Sequence, residues 1–331
     1  MKLNDYFDAF MENTVNINDS RLRDLEDRVK TLYEVLEKDD EIDDLVLSKV
    51  PQGSWAHETI IKPIEGNEFD ADFLVVMKEL DDWSPRAYIN NVYSALRRHG
   101  TYEDMVKKKH RCLRVVYAND CHIDIVPFIK LSDGRQVIVN HETDEWEETD
   151  PEGFTSWHKR QDDTTGRRLR LVIRLVKYLR DHHMHFKRTR SVILTILLGE
   201  GVDAAKKNLD PAYYADLPTV FVHLLEDLND WLQARPILPP LPDPSGAPND
   251  FGHRWDQDSY DNLRKKVKQI AEKSREALDE PDETKSHELW QAVFGKDFKK
   301  PPSSGSTAVV AGSGAVAAAA PPRTVGAARV G

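Results

Sequence analysis

The stretch Phe69-Asp70-Ala71-Asp72-Phe73-Leu74-Val75-Val76-Met77 places two carboxylates at the start of an apolar, β-branched run. If the run is a β-strand, residues two apart project from the same face, so Asp70 and Asp72 point the same way. Carboxylate oxygens are the ligands that hard divalent cations prefer. The stretch therefore predicts a cation site at the edge of a sheet.

A candidate phosphate-binding turn precedes this strand, in Gln52-Gly53-Ser54-Trp55-Ala56-His57-Glu58-Thr59. Gly53 allows a phosphate to approach the backbone closely, and Ser54 adds a hydroxyl group. The turn that follows presents free amide N–H groups to an anion. We therefore predict that Gly53 and Ser54 contact nucleotide phosphates.

A third carboxylate lies within His122-Ile123-Asp124-Ile125-Val126-Pro127-Phe128-Ile129. Alternation puts Asp124 on the same face as Val126 and Phe128. An unpaired charge in an apolar strand is unfavourable, so Asp124 should meet a cation or a hydrogen-bond donor. Three carboxylates from two neighbouring strands suit two Mg²⁺ ions about 3.5–4 Å apart, which activate an attacking hydroxyl and stabilise a departing pyrophosphate. The pattern predicts nucleotidyl transfer with two Mg²⁺ ions, which Mn²⁺ could replace.

Composition narrows the class of protein. The 331 residues correspond to one large or two modest domains. A net charge of −11 argues against a protein whose main task is to coat DNA or RNA. Cys112 and Cys121 lack metal-ligand spacing, and so few thiols indicate a reducing cytoplasm. We see no signal peptide and no apolar run of membrane-spanning length, so we expect a cytoplasmic protein with no membrane partner.

Hydrophobic periodicity predicts an α+β fold. Residues 1–163 mix helices with strands and form a lobe with a mixed sheet, whereas residues 164–300 are helical. Asn18-Asp19-Ser20 offers an N-cap for a helix predicted from Arg21 to about Lys38. Residues 301–331 are rich in Ala, Gly, Ser and Pro, and we expect this tail to be disordered because it cannot bury enough apolar surface to offset its ordering entropy.

The chain resembles the cGAS/DncV-like nucleotidyltransferases (CD-NTases) through the combination of Gln-Gly-Ser-x-x-x-x-Thr, Asp-x-Asp and Ile-Asp-Ile-Val-Pro. The resemblance covers residues from about 20 to 298 and is strongest to the CdnD clade. The resemblance implies a polymerase-β-like catalytic lobe and a helical lobe that completes a nucleotide cleft. It implies that the enzyme condenses ATP and another nucleoside triphosphate into a cyclic di- or trinucleotide, a second messenger of anti-phage defence (CBASS). It also implies that no nucleic-acid activator is obligatory. Metal binding and catalysis then fall on Asp70, Asp72 and Asp124.

The same resemblance extends to two residues of the helical lobe. Family members grip the triphosphate with a Lys on the first long helix and a Ser at the start of the next, and Lys177 and Ser191 occupy those places. At 100° per residue, Lys177 sits on the flank of the apolar face, from which its side chain could leave the core and reach the cleft. Val192 stands where cyclic GMP-AMP synthase has a base-stacking aromatic.

Two other functions fit the same residues. The chain could be a template-free nucleotidyltransferase that modifies RNA or protein, or a non-catalytic nucleotide sensor on the same scaffold. The tail adds a separate hypothesis, because some related defence operons carry a ubiquitin-ligase-like enzyme that attaches the synthase to targets through its C-terminal glycine. Gly331 is the candidate conjugation site.

Overall fold

Caps and turns set the limits of the first helices. The computed structural model describes residues 1–64, 68–118, 120–183 and 185–302. Helix α1 (Asn4–Phe10) continues into a π-helical turn (Met11–Val15), and α2 (Asp19–Glu37) follows. The backbone N–H of Arg21 donates to Oδ1 of Asn18 at 2.9 Å, which satisfies one donor at the start of α2. The predicted N-cap is confirmed at the first residue of Asn18-Asp19-Ser20, and the helix starts at Asp19 rather than at Arg21.

The described residues then form a seven-stranded sheet. Its strands are β1 (Val46–Gln52), β2 (Phe69–Met77), β3 (Val106–Lys108), β4 (Leu113–Tyr117), β5 (Cys121–Lys130), β6 (Gln136–Asn140) and β7 (Glu145–Glu148). The order is β1-β2-β5-β4-β3, with β6 along the second half of β5 and β7 beside β6. Strands β2 and β5 are parallel and the other neighbours antiparallel, which confirms the predicted mixed sheet.

The two faces of this sheet differ in burial. Helix α4 (Pro85–Arg98), which follows β2, packs with α2 over one face, on which Phe73, Val75 and Ile125 are buried. The alternate residues of the same strands form a small apolar cluster on the opposite face: Leu74, Val76, Val126 and Phe128. The carboxylates of β2 and β5 share this less covered face, because side chains alternate along a strand.

The second half of the chain is helical. It contains α5 (Pro151–Thr164), α6 (Leu169–His182), α7 (Ser191–Glu200), α8 (Ala204–Leu209), α9 (Leu217–Gln233), α10 (Gln257–Asp279) and α11 (Glu283–Phe294). Side chains of α1 and α5 pack into this helical core as well. Residues 1–300 form one compact unit. The boundaries at 163 and 300 stay a prediction, and nearly all of the tail, including Gly331, lies outside the described residues.

Two local features set the starts of β1 and α6. Residues 43–45 form a 3₁₀ turn, so β1 starts at Val46. Gly166 and Arg167 have φ of 62° and 65° and break the helical path after α5, so α6 starts at Leu169. In the described part of the chain, no helix has the length and apolar character needed to cross a membrane.

Candidate active site

Strand register brings the three predicted carboxylates together. In the parallel pair β2–β5, Asp72 lies opposite Asp124, and Asp70 lies opposite His122. Residues opposite each other, or two apart along a strand, share a face. The predicted convergence of Asp70, Asp72 and Asp124 on one face of two neighbouring strands is what the register gives. We call these three residues the carboxylate face.

The carboxylate face concentrates negative charge, part of it in a buried position. The Asp70 side chain is 61% exposed, whereas Asp124 is 8% exposed and lies beside the apolar cluster of the same face. Burial, reinforced by the charges of Asp124 and Asp70, raises the pKa of Asp72 to about 7. Such crowding is unfavourable unless a cation compensates it.

Arg114 supplies a cation in this structure. It lies directly opposite Asp124 in the antiparallel pair β4–β5. Its Nε and Nη2 donate to Oδ1 and Oδ2 of Asp124, each at 2.8 Å, and Nη2 is 3.7 Å from Oδ1 of Asp70. The expectation that Asp124 meets a cation or a donor is confirmed. Sequence reasoning missed Arg114, although its place on the strand before Asp124 was the available signal.

Metal binding at the carboxylate face stays a prediction. Across residues 1–64, 68–118, 120–183 and 185–302, no three His, Cys, Asp or Glu side chains are arranged so that they could already hold a metal ion. In this arrangement the guanidinium of Arg114 engages both oxygens of Asp124 and approaches Asp70. The donors themselves are hard carboxylate oxygens, the kind that Mg²⁺ takes together with water and phosphate oxygens. By its chemistry the donor set fits Mg²⁺.

The predicted phosphate turn lies against the carboxylate face. Gln52 pairs with Asp72 across β1–β2, and Gly53 follows at once with φ of 61°, at the start of the short helix α3 (Gly53–Ala56). A Cβ on Gly53 would lie 2.9 Å from Oδ2 of Asp72. A side chain at position 53 would therefore push directly on a carboxylate. The structure brings Gly53 and Ser54 next to Asp72, as a triphosphate and metal site requires.

Helix α6 holds the end of this turn. Arg174 Nε donates to the carbonyl oxygen of Glu58 at 2.8 Å, and Lys177 Nζ donates to that of Thr59 at 2.8 Å. Lys177 is only 4% exposed, and burial, with a smaller contribution from Arg180, lowers its pKa to about 7. The Lys177 amine is buried against the Thr59 carbonyl at the end of the phosphate turn, and its predicted contact with the triphosphate stays a prediction. Its charge still acts on Asp72.

Two buried histidines connect the turn to α5. The rings of His57 and His158 stack with centroids 4.5 Å apart, and both side chains are buried. Burial is the main cause that lowers the pKa of His57 to about 3 and that of His158 to about 4. Both rings are therefore neutral at pH 7, and neither carries a charge that could contact phosphate.

Ser191 lies in a positively charged cavity of about 690 Å³. Its charged lining comes from three segments, the end of α6, the connection to α7, and the turn before α10: Arg180, Lys187, Arg188, Arg190, His253, Arg254 and Asp256. We call this cavity the basic pocket. Arg180 Nη1 donates to Ser191 Oγ at 2.9 Å. The three carboxylates do not line the basic pocket, but Arg180 follows Lys177 by three residues on α6.

Most charge in the basic pocket lacks a counter-ion. Within the described residues, Lys187, Arg190 and Arg254 have no carboxylate within 4 Å, and Arg188 reaches Asp256 only at 4.0 Å. Apart from Ser191, sequence reasoning did not assign these residues a role. No motif joins them, because the turn before α10 lies more than 60 residues after the segment that ends at Arg190.

Known proteins resemble this chain in sequence. Residues 1–162 match the family described as Second Messenger Oligonucleotide or Dinucleotide Synthetase domain. The cyclic AMP-AMP-AMP synthase of Acinetobacter sp. is 25% identical over 284 residues, which cover 83% of this chain and 80% of that protein. The c-di-GMP synthase of Roseivirga ehrenbergii is 33% identical over 145 residues, which cover 39% of this chain and 37% of that protein.

Solved structures share the fold. E. coli MS115-1 CdnC with ATP gives a TM-score of 0.67 at 20% identity, covering 90% of this chain and 99% of CdnC. Vibrio cholerae DncV cyclic AMP-GMP synthase with nonhydrolyzable GTP gives a TM-score of 0.69 at 14% identity, and the match covers 90% of this chain and 96% of DncV.

A carboxylate face beside a phosphate turn, on this fold, defines a nucleotidyltransferase. Residues 1–162 form a Second Messenger Oligonucleotide or Dinucleotide Synthetase domain, and the chain is similar to cyclic oligonucleotide synthases of the cGAS/DncV-like nucleotidyltransferase class. The comparisons do not single out the CdnD clade.

Proposed function

We propose that this enzyme condenses ATP and another nucleoside triphosphate into a cyclic di- or trinucleotide and releases pyrophosphate. One observation carries the proposal: Asp72 lies opposite Asp124 and also within contact distance of a side chain added at Gly53. The phosphate turn and the carboxylates are thus parts of a single site. The related synthases named for cyclic AMP-AMP-AMP and c-di-GMP make ATP and GTP the first substrates to test.

The residues divide the work by their chemistry. Gly53 and Ser54 offer backbone N–H groups and a hydroxyl to the donor triphosphate. Asp70, Asp72 and Asp124 would hold Mg²⁺, which lowers the pKa of the attacking hydroxyl and stabilises charge on the leaving group when bound. The Lys177 amine stabilises this site, because its hydrogen bond to the Thr59 carbonyl oxygen fixes the end of the phosphate turn.

The basic pocket extends the site for polyphosphate. Two nucleoside triphosphates must be bound together, and their combined negative charge exceeds what metal ions at three carboxylates can neutralise. Ser191, held by Arg180, and the unpaired Arg190 and Arg254 supply donors and positive charge for this purpose.

The direct test is product analysis. The enzyme is incubated with all four nucleoside triphosphates and Mg²⁺, without any acceptor, and the products are treated with nuclease and phosphatase and identified by mass spectrometry. We expect a resistant cyclic oligonucleotide. Product only after addition of RNA or protein would instead indicate the template-free transferase, and nucleotide binding without turnover in Mg²⁺ or Mn²⁺ would indicate the sensor.

The cellular role extends the same proposal. A cytoplasmic synthase of this kind would signal phage infection, and loss of protection in cells that carry Asp72→Asn in place of the wild-type gene would support that role. Conjugation through Gly331 by a ubiquitin-ligase-like enzyme is a further expectation. Deletion of Gly331 should remove conjugate bands in the native host, and unchanged bands would contradict it.

A further inference from the structure

Arg114 occupies the space between two of the three carboxylates rather than a position at their edge. Its Nη2 is 2.8 Å from Oδ2 of Asp124 and 3.7 Å from Oδ1 of Asp70, and its Nε takes the other oxygen of Asp124 at 2.8 Å. A cation bridging Asp70 and Asp124 would need the same oxygens. The guanidinium and such a cation therefore compete for one set of ligands.

Strand pairing makes this position a property of the fold. Arg114 and Asp124 are direct cross-strand partners in β4–β5, so their side chains leave the sheet on the same face. Asp70 and Asp124 are the carboxylates with which Arg114 forms ion pairs in the described part of the chain. Since Asp124 is 8% exposed, water could not replace the arginine as its partner.

We propose that Arg114 is a built-in counter-ion, which neutralises the carboxylate face in the nucleotide-free enzyme and must leave Asp124 before a divalent cation binds there. The inference rests on the proposed metal-binding role of Asp70, Asp72 and Asp124. Its consequence is that Arg114 weakens metal binding in the absence of nucleotide, because the competent carboxylates are only partly available. Phosphate oxygens of a bound nucleotide add ligands and offset the displacement. Arg114 is thus a positioning residue that links metal entry to substrate.

The test uses Mn²⁺ as the probe, with the free ion measured by electron paramagnetic resonance on nucleotide-free enzyme. Arg114→Gln should bind Mn²⁺ more tightly than wild type by at least about fivefold, the usual lower range of coupling between two sites. Arg114→Lys should fall between them, because a lysine is a point charge that does not engage both carboxylate oxygens. Addition of nucleotide should narrow the difference between wild type and Arg114→Gln.

Arg111→Gln is the matched control. Arg111 has a side-chain exposure of 32%, close to the 28% of Arg114, but it pairs with Glu147. The same loss of charge there should leave Mn²⁺ affinity within about twofold at 0.15 M salt, because Arg111 pairs with Glu147 and holds no oxygen of the carboxylate face. If Arg111→Gln gained as much Mn²⁺ affinity as Arg114→Gln, net charge alone would explain the gain, and the proposal would be overturned.

Thermal unfolding gives a second readout. In EDTA, Arg114→Gln should melt below Arg111→Gln, and Mn²⁺ should raise its melting temperature more than that of wild type. If Arg114→Gln does not fold, the Mn²⁺ titration of Arg114→Lys decides. Unchanged or weaker Mn²⁺ binding overturns the proposal, as does absence of Mn²⁺ binding in every variant. Cyclic product from wild type together with unshifted Mn²⁺ titrations would reject this inference alone, while shifted titrations without any product would reject the proposed function alone.

Discussion

The carboxylate face and the basic pocket are opposite in charge and in how the chain builds them. The face places Asp72 and Asp124 side by side through the ladder of a parallel strand pair, so few residues fix it. The basic pocket collects cations from three separate segments of the helical half. The net charge of the chain is −11, yet Arg190 and Arg254 of this pocket have no ion-pair partner among the described residues. The comparison suggests that catalysis and polyphosphate binding are built separately, and the variants below test that division.

The largest effect is expected at the carboxylate face. Asp72→Asn should lower cyclic product by at least about 10²-fold, as for removal of a group that stabilises the transition state. The same change should raise the melting temperature near pH 8, because it removes an ionised carboxylate whose pKa is raised by burial and by Asp124. Pyrophosphate release and thermal unfolding measure the two effects. Asp133→Asn, at an exposed site, is the control, and an active Asp72→Asn enzyme would contradict the site.

The basic pocket should affect binding more than turnover. Arg190→Gln and Arg254→Gln should each raise the KM for nucleoside triphosphate roughly tenfold, as for the loss of one charge-assisted hydrogen bond, with a smaller change in kcat. Steady-state kinetics at several salt concentrations check this, since the variants should also be less sensitive to salt. Arg235→Gln is the control, because Arg235 is exposed and stacks on Trp231. A fall in kcat without a change in KM would show that the basic pocket acts in turnover together with the carboxylate face, and would contradict the division between them.

Gly53 tests how closely the turn and the carboxylate face depend on each other. Gly53→Ala should lose about 1–2 kcal/mol of stability from its positive φ, and also activity, because the new Cβ would meet Oδ2 of Asp72 at 2.9 Å. Gly100→Ala is matched, since Gly100 has φ of 72° with nothing within 4 Å of an added Cβ. Urea unfolding and product formation compare the pair. Equal activity in both variants would show that contact with Asp72 is not critical.

The smallest effect concerns the histidines between the turn and α5. A lowered folded-state pKa means that only the unfolded chain takes up a proton, so stability should fall as the pH drops from about 6.5 toward the folded pKa values of His57 and His158, about 3 and about 4. His158→Phe should make this fall shallower by up to about 1.4 kcal/mol per pH unit, the value for one proton. Urea unfolding between pH 7 and 4.5 measures it, with exposed His110→Gln as control. An unchanged slope would mean that His158 is protonated in the folded state.

The fold class and the three aspartates could be predicted from the chain because their signals are local. Alternation along β2 and β5 assigns each side chain to a face, and motif order identifies the phosphate turn. The partners of these residues could not be predicted in the same way. Lys177 occupies a flank of α6 from which either the cleft or the core is within reach, and packing against the Thr59 turn decided in favour of the core.

By itself the sequence determined that Asp70 and Asp72 share a face of one strand, that Asp124 lies within another, and that a glycine turn precedes both, since backbone periodicity operates along each strand. Only the tertiary structure decided which charges meet: Arg114 on Asp124, Arg180 on Ser191, and the unpaired arginines around one cavity. The physical reason is that periodicity operates over a few residues, whereas an ion pair or a pocket depends on strand pairing and helix packing that bring distant segments within a few ångströms.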